Sequence, residues 1–478
     1  MSTSNPLLSE LPHREIPGTY GPAFFGPIKD RYDYFYCQGR EEFFKSRIQK
    51  YDSTVFRTNM PPGPFISSNS KVIAVLDAVS FPILFNTDKV EKKDVFVGTY
   101  MPHLDFYGGY RPLAYLDPSE PQHKALKSFL FALFTSLHRK FIPNFQSCLS
   151  ELFTILENEI SEKNIADFNT NSESISFNFV FNMFTQRYPS ESPIGSSGPE
   201  IAKKWVTLQL APIGTLGNKY IPSFIDDLLV HTVQLPFCLV KSDYEKLYHA
   251  FYAMASSVLD QAEKVGIRRG EACHNLVFIS AFNSFGGMMV LFPTLIKWVA
   301  YGGEDLHRRL AEEIRAIVKT SGVSFIGLEK MALTKSVVYE TLRIEPPVPF
   351  QYGRAKEDLV INSHDASFVI KKGEMIFGYQ PLATKDPKVF VNPNEFVADR
   401  FVGEEGEKLK KYVYWSNGRE TDDPTPDDKQ CPGKDLVILW CRLLLVEFFL
   451  RYDTFTAESG ENTGFGPPVK ITSLRKAN

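Results

Sequence analysis

The chain has 478 residues, 43% hydrophobic and 14% aromatic with 40 Phe, enough apolar material for a large core and a greasy cavity. A net charge of −3, with no basic stripe and no nucleic-acid motif, argues against nucleic-acid binding. The six cysteines, at 37, 148, 238, 273, 431 and 441, have neither disulfide-framework nor zinc-site spacing, which fits a reducing compartment.

Met1–Tyr20 contains Pro6, Pro12 and Pro17 and no apolar run, so it reads as neither a signal peptide nor a membrane anchor. It also lacks an Arg/Ser-rich plastid transit pattern, which predicts a cytoplasmic or peripheral-membrane protein and leaves a trimmed mature form open. Residues 14–115 mix β-branched runs, Ser53–Thr58 and Lys71–Leu76, with Pro/Gly turns, predicting a small sheet. Residues 120–345 are mainly helical in pattern, as in Lys124–Leu137, Phe145–Ile160, Tyr244–Lys264 and Leu306–Lys319. The apolar segment Asn275–Ile296 predicts a core helix. Its Gly286-Gly287 pair costs about 1 kcal/mol per glycine relative to Ala, which makes sense where backbone approaches a cofactor or substrate. Leu359–Ile370 reads as strands and Leu436–Leu450 as a helix. No Gly/Ser/Pro-rich linker, repeat or low-complexity tract divides the chain. Residues 1–478 therefore read as one unit with a β-containing N-terminal lobe and a helical lobe.

The most informative stretch is Lys429-Gln430-Cys431-Pro432-Gly433-Lys434-Asp435, directly before the apolar helix. A thiolate is a strong, soft iron ligand, and a following helix N-terminus favours its charge. Upstream, Glu340 and Arg343 stand one helical turn apart, and Arg400 follows in Asp399-Arg400-Phe401. These three suit a buried, charge-assisted network.

This order and spacing of motifs resembles the cytochrome P-450 superfamily of haem-thiolate enzymes. The resemblance implies a mainly α fold with small β-sheets and haem b ligated by Cys431. Two departures narrow it. Twelve residues separate Gly418 of Trp415-Ser416-Asn417-Gly418 from Cys431, where the usual loop is short. The distal stretch Ser280-Ala281-Phe282-Asn283-Ser284-Phe285-Gly286-Gly287-Met288 has no acid and no Thr, so it lacks the acid–alcohol pair of monooxygenases. Both resemble the plant fatty-acid hydroperoxide branch: allene oxide synthases, hydroperoxide lyases, divinyl ether synthases and epoxyalcohol synthases. Gly98-Thr99-Tyr100-Met101-Pro102, Gly108-Gly109-Tyr110-Arg111-Pro112 and Asp117-Pro118-Ser119-Glu120-Pro121 agree with that branch.

The resemblance implies that Lys92, His123, Lys127 and Lys429 contact haem and its propionates. The spacing of His123 and Lys127, four apart, supports a shared anionic partner independently. Asn283 is the implied distal amide, able to hydrogen-bond a peroxide without supplying a proton. Phe96 occupies a position where the branch has Phe or a smaller residue, and Phe there goes with allene oxide synthesis. Family members often have Lys where Met289 stands, so any positioning by that Lys must be done otherwise. Asn283 and Phe96 favour allene oxide synthase. Trp415–Glu420, Gln430–Gly433 and Arg111–Ala114 look more like divinyl ether synthases. Residues of the catalytic pocket outweigh peripheral ones, so the reading leans to allene oxide. The implied partner is a polyunsaturated fatty-acid hydroperoxide, with no reductase and no dioxygen, and with contact to a membrane or lipid body left open. Competing readings are a reductase-dependent monooxygenase, disfavoured by the missing acid–alcohol pair and anchor, and a catalytically silent haem or lipid carrier.

Overall fold

Three apolar helices make the core. The computed structural model describes residues 11–218, 220–462 and 464–477, and part of the reading of Met1–Tyr20 falls on the first ten residues, outside these. The helix Lys434–Arg451 is apolar from Ile438 to Phe449 apart from Arg442 and Glu447, and accordingly it is buried all round there. The predicted helices Lys124–Leu137 and Phe145–Ile160 form one helix, Pro121–Lys163, which runs through Pro143. The predicted core helix is a longer rod. Arg269–Val277 leads into a π-helical stretch, Phe278–Phe285, and then into Gly286–Ser321, with a kink at Gly303. Tyr244–Lys264 is split into Lys241–Met254 and Ser256–Lys264.

The predicted N-terminal sheet is finished by residues from far downstream. Val55–Asn59 pairs antiparallel with Lys71–Val75, which pairs in parallel with Met375–Tyr379. Phe350–Ala355 is antiparallel to Met375–Tyr379, and Val90–Glu91 closes the edge. The N-terminal lobe is thus no self-contained sheet, because its central strands come from both ends of the chain. Leu359–Asn362 and Ser367–Ile370 form a hairpin. Tyr452–Ser459 and Val469–Lys476 form another, which also pairs with Ala166–Asp167. The turn of that last hairpin presses onto the core helix. A Cβ on Gly466, whose φ is +85°, would lie 2.9 Å from the Met289 carbonyl oxygen, so only glycine permits this approach.

Candidate active site

The loop before Cys431 closes at its base. Tyr414–Trp415 and Gly418–Arg419 pair as a tight hairpin, and the Cys431 N–H donates to the Ser416 carbonyl at 3.1 Å. The twelve residues between Gly418 and Cys431 therefore bulge outward and return to the same place. Gln430 seals the return: its side chain lies where a Cβ on Gly418 would be, at 2.4 Å, and its amide donates to the Arg419 carbonyl at 2.6 Å. Beyond the cysteine, the Gly433 Cβ position is 3.8 Å from the Cys431 sulfur, leaving that face open. Burial pushes the Cys431 thiol up, while the Gly433 N–H and the Lys127 charge pull it back. A bound metal cation would remove the proton outright.

Buried positive charge gathers next to this loop. Lys127, 1% exposed, donates to the Asp428 carbonyl and carboxylate, each at 2.7 Å. Lys92, 3% exposed, donates to the Tyr352 carbonyl at 2.7 Å. Lys429 donates to the carbonyls of Leu113, Ala114 and Leu116. Burial pushes Lys92 and Lys429 down to about 7, with Lys429 adding to the effect on Lys92 and Lys127 to that on Lys429. Burial and the charges of Lys429 and Lys127 push His123 down to about 4. The His123 Nδ1 is buried with no hydrogen-bond partner among the described residues. Two buried lysines, a half-buried third and an orphaned imidazole nitrogen beside a cysteine sulfur are what the two carboxylates of a haem would relieve, so these residues fit that group. Lys92 and Lys127 keep N–H donors to spare. Lys429 uses all three on backbone, so it pins the bulged loop to residues 113–116 and contributes its charge rather than a free donor.

Asn283 sits in the π-helical turn, an insertion that often marks a functional site. Its amide is exposed, and among the described residues no hydrogen bond engages it. Phe282 stacks on Phe278, with centroids 4.8 Å apart, and meets the Phe96 ring at 6.0 Å, which brings Phe96 to the turn carrying Asn283. No charged residue occurs from Phe278 to Val290. Gly287 has nothing within 4 Å of its Cβ position, so the open space continues past Asn283. Met289 is 1% exposed and packs into the core.

Glu340, Arg343 and Arg400 come together. Glu340 is fully buried and accepts from Arg343 at 2.6 and 2.8 Å and from Arg400 at 2.9 and 3.0 Å. It also accepts from the Val397 N–H at 2.9 Å. Arg343 donates onward to the carbonyls of Thr384, Pro393 and Glu395, so one ionic centre ties the helix Ala332–Ile344 to the coil before the cysteine loop.

Sequence reasoning missed three contributors. Asp428 pairs with Lys127 across 301 residues, a separation with no local signal. Gln430 fills the space over Gly418. Ser280, one turn before Ser284, has a buried hydroxyl without a partner among the described residues, and only its place in the distal stretch pointed to it.

A family model described as cytochrome P450 matches residues 304–466. "Allene oxide synthase 3" of Solanum lycopersicum is 54% identical over 479 residues, covering 100% of this chain and 97% of the relative. "Allene oxide synthase, chloroplastic" of Arabidopsis thaliana is 54% identical over 98% of this chain and 90% of the relative. "Allene oxide synthase CYP74A2" of Parthenium argentatum is 54% identical over 98% of this chain and 99% of the relative. The chain belongs to the cytochrome P450 family. Its mainly α architecture with small sheets is that family's fold, and its cofactor is haem. One expectation is overturned. Relatives from Solanum lycopersicum, Arabidopsis thaliana and Linum usitatissimum are named chloroplastic, pointing to a plastid rather than to the cytoplasm. The lack of an Arg/Ser-rich pattern in residues 1–20 is no guide to the compartment of this P450.

Proposed function

We propose that this cytochrome P450 is a hydroperoxide dehydratase of allene oxide synthase type. It converts polyunsaturated fatty-acid hydroperoxides to allene oxides and water, in oxylipin biosynthesis, without an external reductase or dioxygen. The observation that carries this reading is the unengaged Asn283 amide on a π-helical turn beside Phe96, in a stretch with no acid to deliver protons. The similarity to allene oxide synthases supports the same reading.

Thiolate-ligated haem supplies the one-electron chemistry that opens an O–O bond. Cys431 is the residue that would ligate it. Lys92, His123 and Lys127 would hold its carboxylates, and Lys429 would add charge. The Asn283 amide donates to a peroxide oxygen and accepts from the hydroperoxide O–H, orienting the group while withholding a proton. Phe96 presents an aromatic face whose quadrupole stabilises an adjacent electron-poor carbon, favouring the allylic cation that loses a proton to give the allene oxide. Glu340, Arg343 and Arg400 keep the coil beneath the cysteine loop in register. Cys431→Ser tests the assignment. Loss of the thiolate signature in the ferrous–carbonyl spectrum, together with loss of hydroperoxide turnover, is expected. A variant with a wild-type spectrum and rate contradicts it.

We further propose that the helix Ser223–His231 rests on a lipid surface, from which so apolar a substrate partitions. The helix is inverted. Asp226 and Asp227 turn inward, Asp227 to the buried Arg31 at 2.6 and 2.8 Å. Phe224, Leu228 and Leu229 face out, at 65%, 60% and 54% exposure. Reduced flotation with galactolipid vesicles in a Phe224→Asp/Leu228→Asp double variant is expected, and unchanged flotation refutes the contact.

A further inference from the structure

A fatty-acid hydroperoxide has two polar ends, and the residues beside Asn283 serve only one of them. The far end carries a carboxylate. The distal stretch offers it no cation, since no charged residue occurs from Phe278 to Val290 and Met289 is packed into the core. The buried lysines are committed on the cysteine side. Packing does lead from Phe96 to a further cation, along the apolar cluster that Phe96 borders.

That cluster can be followed residue by residue. The Phe96 ring lies 6.2 Å from that of Tyr100, whose hydroxyl donates to the Gln209 carbonyl at 2.9 Å. Gln209 is in the last turn of the helix Gly198–Leu210, which continues through Ala211–Ile213. Phe96, Ile213 and Phe350 are all half-buried and border one apolar cluster. Arg40 stands at the Ile213 end. Its guanidinium donates to the Ile213 carbonyl at 3.3 Å and lies 5.7 Å from the centre of the Phe350 ring.

Arg40 is half-buried, and among the described residues no carboxylate pairs with it. The adjacent Glu41 turns away to Lys45 at 2.8 Å and Lys385 at 3.6 Å. One N–H of the guanidinium is engaged and the rest of its fork is free. An arginine without an acid, against an apolar wall, is suited to a planar anion that arrives with an apolar tail. Phe350 restrains the guanidinium plane through its ring face.

We propose that Arg40 binds the carboxylate terminus of the substrate and so sets how far along the fatty chain the hydroperoxide carbon reaches Asn283. This inference rests on the fatty-acid hydroperoxide reading above. It makes Arg40 a determinant of the choice between hydroperoxide regioisomers. One charge-assisted interaction, removed without unfolding the chain, corresponds to about a tenfold change in apparent affinity.

The test is steady-state kinetics of the haem-loaded wild type, R40Q and R40K on a linolenic acid hydroperoxide and on its uncharged methyl ester. R40Q is expected to raise KM for the acid about tenfold, with kcat and the KM for the ester within about twofold of wild type. R40K is expected to recover much of the acid KM, because it keeps the charge. An acid KM unchanged in an active R40Q overturns the Arg40 assignment and leaves the dehydratase reading standing. Equal increases for acid and ester also overturn it, since they show a packing role. A wild type that consumes neither substrate defeats the dehydratase reading and the inference with it.

Discussion

Replacing Phe96 with Leu separates what its ring does for the fold from what it does for the product. The ring meets Tyr115 edge-on at 5.5 Å and Phe282 at 6.0 Å. It is held there by a tight turn in which Val97 and Tyr100 exchange backbone hydrogen bonds of 3.3 and 3.0 Å. Two edge-on aromatic pairs are worth about 0.5–1.5 kcal/mol each beyond area burial, so Phe96→Leu costs about 1–3 kcal/mol of stability. That is more than an isolated Phe-to-Leu exchange of similar volume would cost, yet within what a typical chain withstands. The lost quadrupole is worth about 0.5–2 kcal/mol at a desolvated carbocation, or about 2- to 30-fold between two exits from one substrate radical. Hydroperoxide consumption should therefore continue. Ketols from allene oxide hydrolysis should fall, while chain-cleavage aldehydes or epoxyalcohols rise. Mass-spectrometric product ratios for the two proteins, measured at matched conversion, provide the check. An unchanged ratio in a folded, active variant refutes the reasoning and reduces Phe96 to cavity wall.

Asn283→Ala should retain haem and lower turnover by about 10²-fold or more, as when one oriented donor leaves an active site, and unchanged single-turnover rates would remove Asn283 from the mechanism. Glu340→Ala leaves Arg343 and Arg400 unpaired in a buried site, so it should cost about 3–5 kcal/mol in denaturant unfolding, and a loss below about 1 kcal/mol would contradict the network's importance. The His274 Nδ1 and the Tyr244 hydroxyl share a hydrogen bond of 2.7 Å, and burial pushes the imidazole down to about 4. Its folded-state value lies below the unfolded one, so the unfolded chain takes up the proton first and this contribution to stability drains away as pH falls from about 6.5 to about 4. His274→Asn should flatten the melting temperature over that window, and an identical acid slope in both proteins would exclude His274 as its source.

What could be read in advance was local. Cys431, Gly433 and the apolar run after them are contiguous, and Glu340 and Arg343 stand one turn apart, so spacing alone brings each group together. Arg400 needed the family pattern, because 60 residues separate it from Glu340. What stayed hidden depends on distant partners. Nothing near Lys127 announces Asp428, and nothing in residues 419–430 shows that Gln430 folds back over Gly418 to restore the loop base. Lys429 reads as a cofactor contact by motif, whereas its amine meets three carbonyls of residues 113–116. The helix Pro121–Lys163 passes a proline at which two separate helices were expected, because buried Phe141, Ile142 and Phe145 pack on both sides of it. The π-helical turn at Asn283 has no compositional mark. It is a local change of winding within an apolar, aromatic run whose period still reads as α.

The most direct test of the central claim is the product formed by the purified, haem-loaded protein from 9- and 13-hydroperoxides of linoleic and linolenic acids, without NADPH or reductase. The account predicts rapid loss of conjugated-diene absorbance, with α- and γ-ketols from allene oxide hydrolysis as the chief products. Divinyl ethers as the chief product, or turnover only on addition of NADPH and a reductase, would contradict it.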